Sequence, residues 1–183
     1  YWSVNGSEFI SSSGNTATSS LNMLINDFVY YYEKGFRANK IGIPAGYWTG
    51  ILPQNVEAFY KQDISKDLAK EALLACKNFF MGNHFGSVDV SGEGLYDYLA
   101  YLDDTNYPDY ELFTGIEDDI IQAFDSSMEK LELLNDNFVI QINTDNIKML
   151  AAFDAIQVGV VRLKTRMMSI LGISADYFDA DGD

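Results

Sequence analysis

The sequence predicts an all-α protein, an antiparallel (up-and-down) helical bundle, and three observations carry that expectation. Apolar residues recur every three or four positions through four stretches, which gives each stretch one stripe to bury. Glycines and prolines fall between those stretches as stop signals. No stretch shows sustained apolar–polar alternation, although Phe138 to Ile142 is short and β-branched enough to be ambiguous. Helices with a single apolar stripe each bury it best against one another.

Taken in order, residues 1–20 read as a loop or the remnant of a preceding helix, and the small polar run Ser11 to Ser20 ends in a helix cap. Leu21, Leu24, Ile25, Phe28, Val29, Tyr32 and Phe36 set a helix over 21–40. It is expected to break in the turn-rich connection Ile41-Gly42-Ile43-Pro44-Ala45-Gly46. Pro53 opens a short helix through Val56, Phe59 and Tyr60, because a missing amide costs nothing at a helix start. Ser65 begins the helix 65–81, with Leu68, Ala72, Cys76 and Phe79 on one face and Gly82 as its stop. The glycine-rich stretch Gly82 to Gly94 is irregular, and a tyrosine-rich helical piece follows from Leu95 to Leu102. Pro108 fits the first helical position of 109–134, whose stripe is Leu112, Ile116, Ile120, Phe124, Met128 and Leu131. Asn143 or Thr144 is expected to cap a last helix, 144–171, that carries Ile147, Leu150, Phe153, Val160, Leu163 and Met167 and stops at Gly172. The bundle thus spans 21–172, and residues 173–183 form a tail.

Composition narrows the function. The 183 residues include 12 Lys+Arg and 27 Asp+Glu, a formal net charge of −15, and 48% are apolar. That is ample core for folding and excludes a wholly disordered chain. The acidic balance opposes binding to nucleic-acid backbones and to anionic membrane surfaces. No apolar run approaches the ~20 residues needed to span a bilayer, so no transmembrane segment is expected. One cysteine excludes an internal disulfide, and one histidine excludes a His-rich metal site and the H-E-x-x-H motif. The start at Tyr1-Trp2, without Met or an apolar leader, reads as a processed precursor or part of a longer protein.

Ala38-Asn39-Lys40-Ile41-Gly42-Ile43-Pro44-Ala45-Gly46 and Pro53-x-x-Val56-Glu57-Ala58-Phe59-Tyr60 resemble the imelysin family, especially its Bacteroidetes branch. Ser13-Gly14-x-Thr16-Ala17, Gly94-Leu95-Tyr96-Asp97-Tyr98-Leu99, Val161-x-Leu163-Lys164 and Asp179-Ala180-Asp181-Gly182-Asp183 follow the same pattern in order. The resemblance implies an exported periplasmic or cell-surface lipoprotein made of two helical halves. It also implies a family classed as metallopeptidases and tied to iron uptake. The family signature, G-x-H-x-x-E in the first half, is absent; Gly82-Asn83-His84-Phe85-Gly86-Ser87 has Ser87 where Glu should stand. The chain therefore resembles the C-terminal half. The missing N-terminal half is its expected partner, and any lipid anchor belongs to the full-length precursor. No catalytic residue, metal ligand or cofactor is predicted on the chain itself.

Two residues stand out as candidate binding residues. Glu33 lies among Phe28, Val29, Tyr30, Tyr31, Tyr32 and Phe36, so it is expected to be partly buried and to need a partner. Lys40 either lines the groove between halves or simply faces the last carbonyls of its helix. Cys76 reads as a buried structural thiol, and His84 as a loop contact more than a ligand. Asp179, Asp181 and Asp183 have the alternation of a calcium loop but lack its later ligands. Glu117-Asp118-Asp119 reads as favourable charge at a helix start. Tyr96, Tyr98, Tyr101, Tyr107 and Tyr110 could stack on sugars or pack at a bundle end.

Overall fold

The computed structural model describes residues 2–84, 86, 91–106 and 114–177, and nothing below concerns the others. Six helices pack against one another and no strand is present among the described residues; a single antiparallel bridge joins Asn83 to Ser91. The helices are α1 (Trp2–Ser11), α2 (residues 20–45), α3 (Ser65–Met81), α4 (Leu95–Asn106), α5 (Ile116–Glu132) and α6 (residues 138–170). No helix among the described residues is long and apolar enough to cross a membrane.

Helices α2, α3, α5 and α6 close a ring in which every neighbour runs antiparallel. Phe28 and Tyr31 of α2 meet Phe79 and Cys76 of α3, in reversed order. Lys66, Lys70 and Lys77 of α3 pair with Asp136, Glu132 and Asp125 on and just beyond α5, descending as the lysines ascend. Ala45, Tyr32 and Glu33 of α2 meet Asn146, Ile156 and Lys164 of α6 in the same reversed sense. The short α4 lies across α3 and α5, tied by the Tyr96 hydroxyl donating to Asp118 at 2.8 Å. The core is the meeting of four stripes, with Ile25, Tyr32, Phe36, Leu73, Phe80, Ile120, Phe124, Phe153 and Ile156 almost wholly buried.

Three helices end at left-handed glycines, of which Gly82 and Gly172 are the predicted stops. Gly46, Gly82 and Gly172 take left-handed φ of 74°, 72° and 64°. In each case the following amide donates to the carbonyl five residues back, at Gly42, Asn78 and Met168. The expected break at residue 41 is a different matter: α2 runs on to Ala45. Its middle, Tyr31–Gly42, is a π-helix bonded i to i+5, with the Ile43 amide donating to the Ala38 carbonyl. Gly42 is there for closeness, since a Cβ would sit 2.5 Å from the Phe153 ring and 2.8 Å from Trp48. Pro44 falls in the last turn, where the widened bonding has already spared the carbonyl four residues before it.

The last helix also starts earlier than its stripe indicates. Asn137 caps it, its side-chain oxygen accepting from the Val139 and Ile140 amides at 2.9 and 3.1 Å. Phe138 to Ile142 is therefore helical. At Asp145 the backbone leaves helical angles (φ −152°, ψ 74°), and the Asp145 carboxylate accepts from the Lys148 amide, one residue from the expected cap. The far end widens again into π-helix over Arg162–Met167. Residues 1–20, expected as a loop or the remnant of a preceding helix, hold helix α1 and then a loop, while the start predicted at Pro108 lies outside the described residues. The connection after Pro53 contains two short 3₁₀ turns, Pro53–Asn55 and Phe59–Ile64.

The crossing of Gly82 and Gly94 holds α3 against the start of α4. A Cβ on Gly94 would lie 2.5 Å from both the Met81 carbonyl carbon and the Phe80 oxygen, and backbone cannot step aside as a side chain does. Gly94→Ala should therefore lose about 1–3 kcal/mol of unfolding free energy in a urea titration. Gly50→Ala, with nothing within 4 Å of its Cβ position and no left-handed φ, serves as the control for the same replacement where there is room.

Candidate functional site

Glu33 is fully buried on the π-helical part of α2, where its sequence surroundings place it. Arg37, four residues on and 1% exposed, approaches one carboxylate oxygen at 3.7 Å. Lys164, from the π-helical part of α6, reaches the other oxygen at 3.2 Å. Two widened helical segments thus face each other across a carboxylate held between two cations. Arg37 also lies against aromatic rings, its guanidinium carbon 4.5 Å from the Phe153 centroid and 5.9 Å from that of Trp48.

The chain after α6 returns to cover this cluster. Asn26, buried on α2, donates to the Ser174 carbonyl and accepts from the Asp176 amide at 3.2 and 3.1 Å. Tyr177 then lies 5.2 Å from the Lys164 ammonium and edge-on to Tyr30. Burial, and then the negative charge of Glu33, raise the Tyr177 pKa well above the ordinary tyrosine value, so its hydroxyl stays protonated. Removing ions from water costs several kcal/mol each, which pairing offsets in full only when the geometry is excellent. The cluster is therefore weak as a source of stability and strong as a device for holding charges at fixed positions.

Lys40, the other candidate, belongs elsewhere. It pairs with Glu57 in the connection after α2, and no described contact joins it to Glu33. Glu117 is buried at the start of α5, Asp118 accepts from Tyr96, and Asp119 pairs with Arg166. That acidic triplet is thus used in packing as well as at a helix start. His84 is exposed. Tyr96 is edge-on to Phe80, while Tyr107, Tyr110 and Asp179 to Asp183 lie outside the described residues. Among the described residues, no group of three His, Cys, Asp or Glu could hold a metal ion.

The partners of Glu33 were less visible in the sequence than Glu33 itself. Arg37 was within reach through its i, i+4 spacing from Glu33 amid aromatic residues. Lys164 lies 131 residues from Glu33 in the sequence and Tyr177 farther still, and no local pattern brings them in.

Cys76 is buried against α2, and burial pushes its thiol up to about 12 from an ordinary 9.0. Its folded-state pKa lies above the unfolded one, so the contribution to stability is complete below about pH 9 and fades as pH rises toward 12. Unfolding free energy should fall steadily above pH 9, and the native thiol should resist alkylation at pH 8 until denaturant is added. Rapid labelling of the native chain would contradict that placement.

Comparison with family models, curated proteins and solved structures gives no match for this chain.

Proposed function

We propose that this chain is one bundle of an exported, imelysin-like surface or periplasmic protein with a binding or uptake role linked to iron. Its Glu33–Arg37–Lys164 cluster then forms a rigid charged wall beside a site shared with an N-terminal half. The observation that supports this is the buried carboxylate set between two cations on two facing π-helical segments, a helix form that recurs at functional positions. A metal-dependent peptidase inactive as this isolated half is the second reading, favoured only by the resemblance to a family classed that way. A hydrolytic site needs a nucleophile or activated water with a base in reach, whereas the Glu33 carboxylate is occupied by Arg37 and Lys164.

The test is genetic and biochemical. The reading frame upstream of Tyr1 should encode a lipoprotein signal and G-x-H-x-x-E, and deleting the gene should slow growth on limiting iron. A frame without that motif, or growth unaffected by iron supply, would remove the uptake reading. The purified chain with zinc or iron should leave denatured protein intact; chelator-sensitive cleavage lost on His84→Ala would establish the peptidase instead.

A further inference from the structure

A trough runs along the outer side of α2 and α3. Its central part lies between the two helices and is almost wholly apolar, with Phe28 and Phe79 in contact at 4.9 Å between centroids and Cys76 at the floor. Two further depressions adjoin it through Leu24. One passes between α1 and α2 beside Phe9, and the other passes the Gly82–Gly94 crossing to Leu95. Tyr31 and Phe79 are 43% and 41% exposed, so large rings stand open to solvent along the trough. The apolar part is the centre between α2 and α3, and the two flanking depressions are lined by polar and acidic as well as apolar residues, so the trough is an apolar cleft with polar ends.

Charge identifies the occupant. Of the described residues lining the three depressions, Glu8, Asp27 and Glu93 are acidic and none is Lys or Arg. The exposed acids Asp67 and Glu71 continue the outer row of α3 that carries Ala75 and Phe79. The cause is visible in the packing: Lys66, Lys70 and Lys77, lysines of α3, are turned toward α5 and its acids. We propose that this trough is a docking groove for a cationic amphipathic helix of a partner protein, whose apolar face enters between α2 and α3 while its Lys or Arg flanks meet the acidic rim. A second copy of the chain is disfavoured because it brings the same acids and the same net charge of −15. An anionic lipid surface is repelled for the same reason. Helix-in-groove recognition needs an apolar cleft with charged edges, and the trough supplies both. This surface is independent of the family resemblance.

The probe is a fluorescent amphipathic Leu/Lys helix of about 18 residues, titrated with the whole chain and followed by anisotropy. Saturable binding at one peptide per chain is expected, with a scrambled isomer of equal charge and a Leu/Glu counterpart both failing to bind. Ala75→Arg places bulk and positive charge on an exposed helical position in the trough and should weaken binding at least ~10-fold. Phe79→Ala, which changes no charge, should weaken it too, and circular dichroism checks that both variants stay folded. Glu129→Lys alters net charge more than Ala75→Arg does, but lies on α5 outside the trough, and should leave affinity within about 2-fold. Absence of binding, equal binding of the scrambled isomer, or a loss with Glu129→Lys equal to that with Ala75→Arg would overturn the proposal. So would a chain dimer that Ala75→Arg dissolves, since a second copy would then hold the groove.

Discussion

Glu33→Ala should lower the unfolding free energy by about 3–5 kcal/mol. The loss comes less from the missing attraction than from what is left behind. Arg37, 1% exposed and lying on Phe153, would keep its charge in the interior after losing the Glu33 carboxylate. The double change Glu33→Leu with Arg37→Met should recover most of the loss, because it removes both buried charges and keeps the volume. Lys164 does not need a third change, since its side chain is 15% exposed and can swing toward water. Urea titrations of the single and double variants give the comparison. A single variant within 1 kcal/mol of wild type would mean that Glu33 is not the charge holding Arg37 in place.

Phe153→Ala comes next, at about 3–5 kcal/mol. The ring lies 4.1 Å from Tyr47, 5.4 Å from Trp48 and 4.5 Å from the Arg37 guanidinium, centroid distances that make it the hub of one bundle end. Its removal leaves a cavity against Gly42, which has no side chain to fill it. Because Trp48 loses its covering edge, the fluorescence of the folded variant should shift to the red while its helical circular dichroism stays unchanged. A variant with unaltered stability and emission would show that the hub collapses to fill the gap.

The bundle was legible from the sequence because stripes and glycine stops are local signals. Ser65 begins its helix and Gly82 and Gly172 stop theirs as expected, the glycines because a left-handed residue acts within one turn. The misplaced ends have tertiary causes. Propensity alone stops α2 before Gly42, yet Phe153 and Trp48 pack so closely there that the backbone continues through Pro44. The apolar stripe points to Asn143 or Thr144 as the cap and not to Asn137, because Phe138 to Ile142 carries β-branched residues that suit a strand as well and packing against α5 decides the matter. For the candidate site, Glu33 announced itself as an acid among aromatics. Arg37 follows from i, i+4 spacing, but Lys164 could not be inferred, because antiparallel closure of α2 on α6 sets that meeting and local spacing does not. Lys40 stands out only through its place before the Gly-Ile-Pro turn, and its partner, Glu57, belongs to the neighbouring connection.

The two widened helical segments also act as phase shifters. In an ordinary α-helix each residue advances the direction of its side chain by about 100°, and bonding i to i+5 accommodates extra chain length without ending the helix. Taking one residue out of 31–42 would let that stretch tighten to ordinary helix, but everything downstream would arrive rotated by about 100° relative to Ile25 and Phe28. Arg37 would turn away from Phe153, and Ile41 would leave the interior. Middle-of-helix deletions here should thus be far more damaging than deletions in residues 46–64, where the chain connects elements and need only span a gap. Drift in chain length should accordingly collect in such connections, leaving residues 31–42 and 162–167 fixed in length even where their side chains change.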